Sequence, residues 1–239
     1  MTDQFHISDF EDPEDAEERR TKERRMFMYS AKALTAAASV EKVHVLFPDF
    51  KTGLQIADRI YQLGRVLDTP QGAVILGGPG TCKTTLARYF ISALPTSDLF
   101  QKGMGAIYIR MRANPSQGQL LSTFLRAMKY PFTEVRTTRL AQMRDVVIEA
   151  LQQKGTKLIF VDQAHCLSNQ VRTKARDVHE SAASDTLREI IEEVHCGMIL
   201  LADASFQGLE KIDSALADRI TVRHTMSHFS PNAIWDEFL

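Results

Sequence analysis

Apolar residues fall into blocks along the chain whose spacing changes from one region to the next. Met26 to Val40 is rich in alanine and predicts a helix. Phe50 to Leu67 sets Leu54, Ile56, Ile60, Leu63 and Leu67 at near-helical spacing, with Pro70 closing the segment. Beyond it, short apolar runs at 73–76, 105–110, 157–161 and 197–202 predict strands. Amphipathic stretches at 83–94, 117–129, 139–153 and 185–194 predict helices between them. Such alternation is the pattern of an α/β fold, a parallel sheet covered by helices on both faces.

Composition narrows this only a little. The chain has 239 residues and a net charge of −1, enough for one large α/β domain. Contact with nucleic acid would therefore have to come from a local basic patch. Cys82, Cys166 and Cys196 are scattered and odd in number, which points to a reducing compartment and a cytoplasmic location rather than a disulfide framework. No apolar stretch is long enough to span a bilayer, so no membrane partner is expected, and the acidic, polar N-terminus does not read as a signal peptide. Residues 1–25 switch from acidic to basic and read as a flexible charged arm. N-terminal helices are expected over 26–70, a nucleotide-binding core over 71–225, and the start of a truncated helical lid or a tail over 226–239.

The chemistry begins where the run Ala73-Val74-Ile75-Leu76 enters Gly77-Gly78-Pro79-Gly80-Thr81-Cys82-Lys83-Thr84-Thr85. This is the pattern G-x-x-x-x-G-K-[ST] with Cys82 in place of the glycine before the lysine. In such a loop backbone N–H groups wrap phosphates, Lys83 reaches the outer phosphate oxygens, and the Thr84 hydroxyl joins Mg²⁺. The helix that follows turns its positive end toward the same anion. ATP with Mg²⁺ is the expected ligand. Cys82 reads as a plain replacement for glycine, with an oxidisable thiol beside a helix N-terminus as the alternative.

The strand Lys157 to Val161 runs into Asp162, the position from which a carboxylate holds Mg²⁺ through its waters. Gln163 follows, where hydrolytic enzymes of this class carry glutamate. An amide holds water but has no useful basicity, and loss of a general base costs about 10²–10⁴-fold in rate. Strong ATP binding with slow hydrolysis is the expectation, with His165 as a weaker candidate base. Asp203, at the end of the strand Met198-Ile199-Leu200-Leu201, either repels the terminal phosphate or supplies the carboxylate that Gln163 lacks. Arg219 falls at an expected helix end, as an arginine finger reaching a neighbouring subunit's nucleotide or as a surface partner of Asp218 or Glu210. His224-x-x-x-His228 has the helical spacing of metal ligands but no third ligand nearby, and reads as two surface histidines.

Together, the loop at 77–85, Asp162-Gln163-Ala164-His165, Asp203 and Ala215-Leu216-Ala217-Asp218-Arg219 resemble the TniB/TnsC family over roughly residues 45–225. These are AAA+ ATPases that regulate target selection in DNA transposition, related in role to MuB and IstB. The resemblance implies a P-loop NTPase fold of AAA+ type, ATP and Mg²⁺ as cofactors, and self-assembly into a ring or filament on duplex DNA. A transposase and target-selection proteins are the implied partners. By matching position, the DNA-contacting residues would be Arg110 and Arg112, then Arg136, Thr137, Thr138 and Arg139, holding phosphates without reading bases. Arg172, Lys174 and Arg176 form a third basic cluster. The sequence departs from the family at Cys82, Gln163 and Asp203, and it stops about where the family's helical lid begins, so the lid is expected to be absent or truncated.

Three functions are compatible with these features. One is a nucleotide-gated DNA-binding scaffold; another is an active ATPase motor or loader that uses Asp203 or a partner's residue as base; the third is an adaptor that binds a transposition protein without nucleotide.

Overall fold

A computed structural model of the chain describes residues 17, 19–21, 31–41, 43–94, 104–131, 139–170, 174–175, 178–179, 183–206 and 208–228. The chain divides into two compact units, Met1–Val45 and Leu46–Leu239. In the first, α1 (Ala31–Glu41) fills most of the expected 26–40 helix; its first positions lie outside the described residues. Most of the charged arm lies outside them as well, with Glu17 and 19–21 helical and exposed.

The second unit is built on five parallel strands: β1 (Gly72–Gly77), β2 (Ala106–Arg110), β3 (Leu158–Asp162), β4 (Gly197–Ala202) and β5 (Ile220–Met226). Their order across the sheet is β2-β3-β4-β1-β5. The first four match the expected strands; β5 was not expected. Its sequence, ITVRHTM, buries only Ile220 and Met226, because it lies at the sheet's edge and pairs with β1 alone. A strand buried on so little of its surface has no continuous apolar run to announce it. His224 is therefore on a strand, and the helical spacing read into His224 and His228 does not exist.

Side chains alternate across the central strands, so each face makes its own core. Ala73, Ile75, Phe160, Ile199 and Leu201 pack with α2 (Pro48–Leu63) and α3 (Lys83–Ala93). Val74, Ile107, Ile159, Val161, Met198 and Leu200 pack on the other face with α4 (Gln117–Ala127), α5 (Leu140–Gln153) and α6 (Ala183–Val194). Short helices α7 (Leu209–Ile212) and α8 (Ser214–Arg219) join this second layer through Leu209 and Leu216. The fold is that of a doubly covered α/β sheet, as the alternation of elements implied.

Local signals explain most boundaries. Ser116 accepts from the Gln119 N–H while Gln119 reaches back to the Ser116 N–H, a capping box that starts α4. The Asp213 carboxylate accepts from Leu216 N at 2.9 Å and starts α8, at whose end Arg219 stands as expected. Helix α2 stops at Leu63, short of Leu67 and well before Pro70. Gly64 runs so close to the neighbouring backbone that an added Cβ would lie 2.6 Å from the Lys157 carbonyl oxygen, and the chain turns away there. As a result Leu67 is 44 % exposed instead of packing.

Phe160 is fully buried at the centre of the sheet and meets Phe90 of α3 edge-on, with ring centroids 5.7 Å apart. Phe160→Ala is expected to lower unfolding stability by about 3–5 kcal/mol. A urea or guanidinium midpoint unchanged from the parent protein would contradict this packing.

Candidate functional site

Residues 77–85 leave the C-terminal end of β1 and pass directly into α3, so the loop sits where parallel α/β sheets bind ligands. Its shape needs small residues. A Cβ on Gly77 would stand 2.5 Å from Thr81 Oγ1 and 2.8 Å from the Met226 carbonyl oxygen, while Gly80 has φ +82°. Cys82 also lies in the left-handed region, at φ 65°, which is why glycine suits this position. Its thiol is pushed up from its ordinary pKa by burial, against a smaller opposing effect from Lys83.

Lys83 folds back over the loop. Its Nζ donates to the Gly77 carbonyl at 2.7 Å, the Gly78 carbonyl at 2.8 Å and Thr81 Oγ1 at 3.2 Å. Burial lowers the ammonium's pKa; the charges of Asp162, Asp203 and Cys82 act the other way. No side chain caps the N-terminus of α3, so its first-turn N–H groups remain available to an anion. A loop with its ammonium on its own carbonyls and an uncapped helix end behind it fits a phosphate chain.

Asp162 ends β3 beside this loop and is 6 % exposed. Its Oδ2 accepts from Thr84 Oγ1 at 2.9 Å and from the Tyr108 hydroxyl at 2.5 Å; its Oδ1 accepts from Gln163 N at 2.8 Å. The two residues expected to hold Mg²⁺ are thus in contact. Among the described residues no three His, Cys, Asp or Glu side chains cluster as a metal site. One carboxylate and one hydroxyl beside a phosphate loop suit Mg²⁺, which keeps several waters and takes phosphate oxygens. Tyr108 was not among the expected residues. The available signal was a polar-tipped aromatic in the strand beside the acidic one, a residue that normally finds a partner when buried. Its hydroxyl pKa is pushed up to about 12 by burial and by its hydrogen bond to Asp162, so it stays a neutral donor.

Gln163 has φ 57°. With its amide oriented to satisfy its neighbours, it donates to the Met111 carbonyl at 3.0 Å and accepts from Arg110 Nη2 at 2.5 Å and Nε at 3.2 Å. Arg110, expected at DNA, is therefore engaged at the end of β2, opposite Asp162 in register. Arg112 and Arg139 are exposed, while Arg136, Thr137 and Thr138 lie outside the described residues, as do Arg172 and Arg176. Lys174 belongs to a two-residue ladder, Lys174–Ala175 with Val178–His179.

Asp203 follows β4 at the same edge of the sheet. Its Oδ1 accepts from the Ser205 N–H and hydroxyl, each at 3.0 Å, and these bonds hold its pKa below the ordinary carboxylate value. A carboxylate so held is a weak base, which favours an electrostatic role over proton abstraction. Arg219 is at the opposite edge: the residue after it, Ile220, pairs with Gly72 at the start of β1. A strand's length, about 3.3 Å per residue, separates it from its own loop. There it pairs with Glu192 at 3.0 Å, not with Asp218 or Glu210. His224 Nε2 lies 3.0 Å from the Asp49 carbonyl oxygen, and His228 Nε2 lies 2.8 Å from that of Pro79, which ties the end of β5 to α2 and to the loop. A cavity of about 270 Å³ lined by Val74, Phe206, Leu209 and Ile220 lies on the α7–α8 side and shares no residue with the loop.

A family model described as "Bacterial TniB protein" matches residues 38–228. No curated protein sequence matches the chain. Among solved structures, the Aeropyrum pernix ORC2 protein in its ADPNP–ADP complexes is similar at 18 % identity and a TM-score of 0.52, over 79 % of this chain and 49 % of that one. The ORC1 protein of the same organism, in complex with DNA, is similar at 15 % identity and a TM-score of 0.55, over 77 % of this chain and 46 % of that one. The chain spans about half the length of these structures. At such identities the likeness is one of fold, a parallel α/β sheet covered by helices on both faces.

Cys82→Gly removes the left-handed penalty of about 1–2 kcal/mol but adds glycine's greater freedom when unfolded, about 0.5–1 kcal/mol. A net gain in stability of up to about 1.5 kcal/mol is expected from those two effects. Chemical denaturation of the two proteins side by side measures it, and a less stable glycine variant would refute the strain assigned to Cys82.

Proposed function

The chain belongs to the TniB family of bacterial proteins, and on that premise we propose that it is an ATP-binding AAA+ regulator of DNA transposition. In this reading it oligomerises on duplex DNA and recruits or activates a transposase, with nucleotide serving more as an assembly ligand than as fuel. What carries the reading is the convergence of Lys83, Thr84 and Asp162 at the C-terminal ends of β1 and β3, the two strands that flank β4. The similar ORC2 and ORC1 proteins, solved with ADPNP and ADP and with DNA respectively, lend it support.

Each residue has a part in this scheme. Lys83 leaves the loop carbonyls for the phosphates, and the first-turn N–H groups of α3 bind the same anion. Thr84 and Asp162 would hold Mg²⁺, which when bound neutralises phosphate charge. Gln163 provides no base, and its amide is engaged by Arg110 and the Met111 carbonyl. Arg112 and Arg139, with Arg136, Thr137 and Thr138, would hold DNA phosphates, and Arg110 would join them on exchanging its amide partner. Arg219 would reach the nucleotide of an adjacent subunit.

Duplex binding measured with ATP at two salt concentrations tests the scaffold. Affinity that requires ATP, falls steeply with salt and is lost in Lys83→Ala is the expected outcome. Affinity absent, or indifferent to salt, would discard it. Hydrolysis is expected to be slow in the parent protein and to rise in Gln163→Glu, by less than the roughly 10²–10⁴-fold worth of a general base, because Arg110 would ion-pair with the new carboxylate. The double variant with Arg110→Ala is expected to turn over faster than Gln163→Glu alone; equal rates in steady-state phosphate release would remove Arg110 from the account.

A further inference from the structure

Three donors from three elements meet on Asp162, and they are not equivalent. A carboxylate offers about four lone-pair positions, two on each oxygen. Thr84 and Tyr108 fill those on Oδ2, and the Gln163 N–H takes one on Oδ1. Thr84 is the exchangeable donor, since its hydroxyl is a rotor and is itself a Mg²⁺ ligand in the function proposed above. When it turns to the metal, Asp162 is left with one tether on each oxygen, a backbone N–H on Oδ1 and the phenol on Oδ2.

The phenol is well placed for that task. Tyr108 stands in β2 opposite Phe160 of β3, so its backbone is fixed in the sheet beside the strand that carries Asp162. Its ring is covered by the Arg88 guanidinium of α3, 5.7 Å from the ring centroid. A tyrosine clamped between strand and helix holds its hydroxyl at one point.

We propose that Tyr108 is a positioning residue for the divalent cation: through its bond to Oδ2 it keeps the Asp162 carboxylate turned toward the metal's waters, and so sets the Mg²⁺ concentration at which nucleotide binds. The inference rests on the nucleotide-binding reading of the site. Groups that orient a metal-holding carboxylate typically contribute 10–100-fold in metal affinity. A purely structural tyrosine, present only to satisfy a buried acid, would affect stability and leave the metal requirement alone.

The test is binding of a fluorescent ATP analogue to the parent protein and to Tyr108→Phe, first in EDTA and then with increasing Mg²⁺. Equal affinity in EDTA and a Mg²⁺ midpoint about tenfold higher in the variant are expected. Coincident midpoints would overturn the role of Tyr108 while leaving the nucleotide reading intact. A parent protein that binds no nucleotide under any condition would overturn both. Should circular dichroism show Tyr108→Phe unfolded, Arg88→Met takes its place: it frees the ring without touching Asp162 and is expected to raise the midpoint by about twofold to fivefold, the worth of an exposed cation–π contact. No rise there would equally overturn the proposal.

Discussion

A carboxylate buried at the end of a central strand is destabilising unless its oxygens are satisfied, and the organisation of this site follows from how Asp162 is satisfied. One donor comes from the first turn of α3, one from β2 and one from the backbone just beyond β3. Those bonds draw the phosphate loop, the acidic strand and its neighbour together. An uncompensated polar group of this kind costs several kcal/mol, so the three elements cannot drift apart cheaply. The same bonds leave Asp162 beside Lys83, and the carboxylate's negative charge offsets part of what burial takes from the ammonium.

That arrangement depends in turn on a sheet whose strands all run one way. Asp162, Asp203 and the loop each follow the C-terminal end of a strand, and the register of β1, β3 and β4 brings those ends to one edge. Because both faces of the sheet are apolar, a register slip by one residue would exchange the two cores and move every side chain at the edge. Phe160 and Ile199 toward α3, Ile159 and Leu200 toward α6, therefore fix the chemistry as firmly as the polar residues do.

What was legible from sequence follows the same division. Strands buried on both faces announce themselves as apolar runs, and the loop and Asp162 are bound to them by adjacency, so both were readable. β5 was not, since an edge strand with Thr221, Arg223 and Thr225 exposed has no such run. Tyr108, the Gln163–Arg110 pairing and the Glu192 partner of Arg219 were hidden for another reason. Each joins residues far apart in the chain, and only the strand order brings them together. Gln163 and Cys82 stand out in sequence as departures from a motif, yet their left-handed backbones, at φ 57° and 65°, needed the structure.

The position of Arg219 bears on how nucleotide could control assembly in the proposed function. A ligand shifts an equilibrium only by its differential affinity for the two states, so an assembly gated by ATP needs a contact that exists only between subunits. Arg219 cannot reach its own loop, because the length of β1 intervenes. Its present partner, Glu192, is a partly exposed carboxylate, and such pairs are worth about 0–1 kcal/mol. Exchanging that partner for a phosphate across an interface forfeits little, whereas a desolvated arginine–phosphate pair with two parallel bonds gains more. With Gln163 supplying no base, the state stabilised in this way would not be quickly erased by hydrolysis, and its lifetime would be set by release of nucleotide or of subunits.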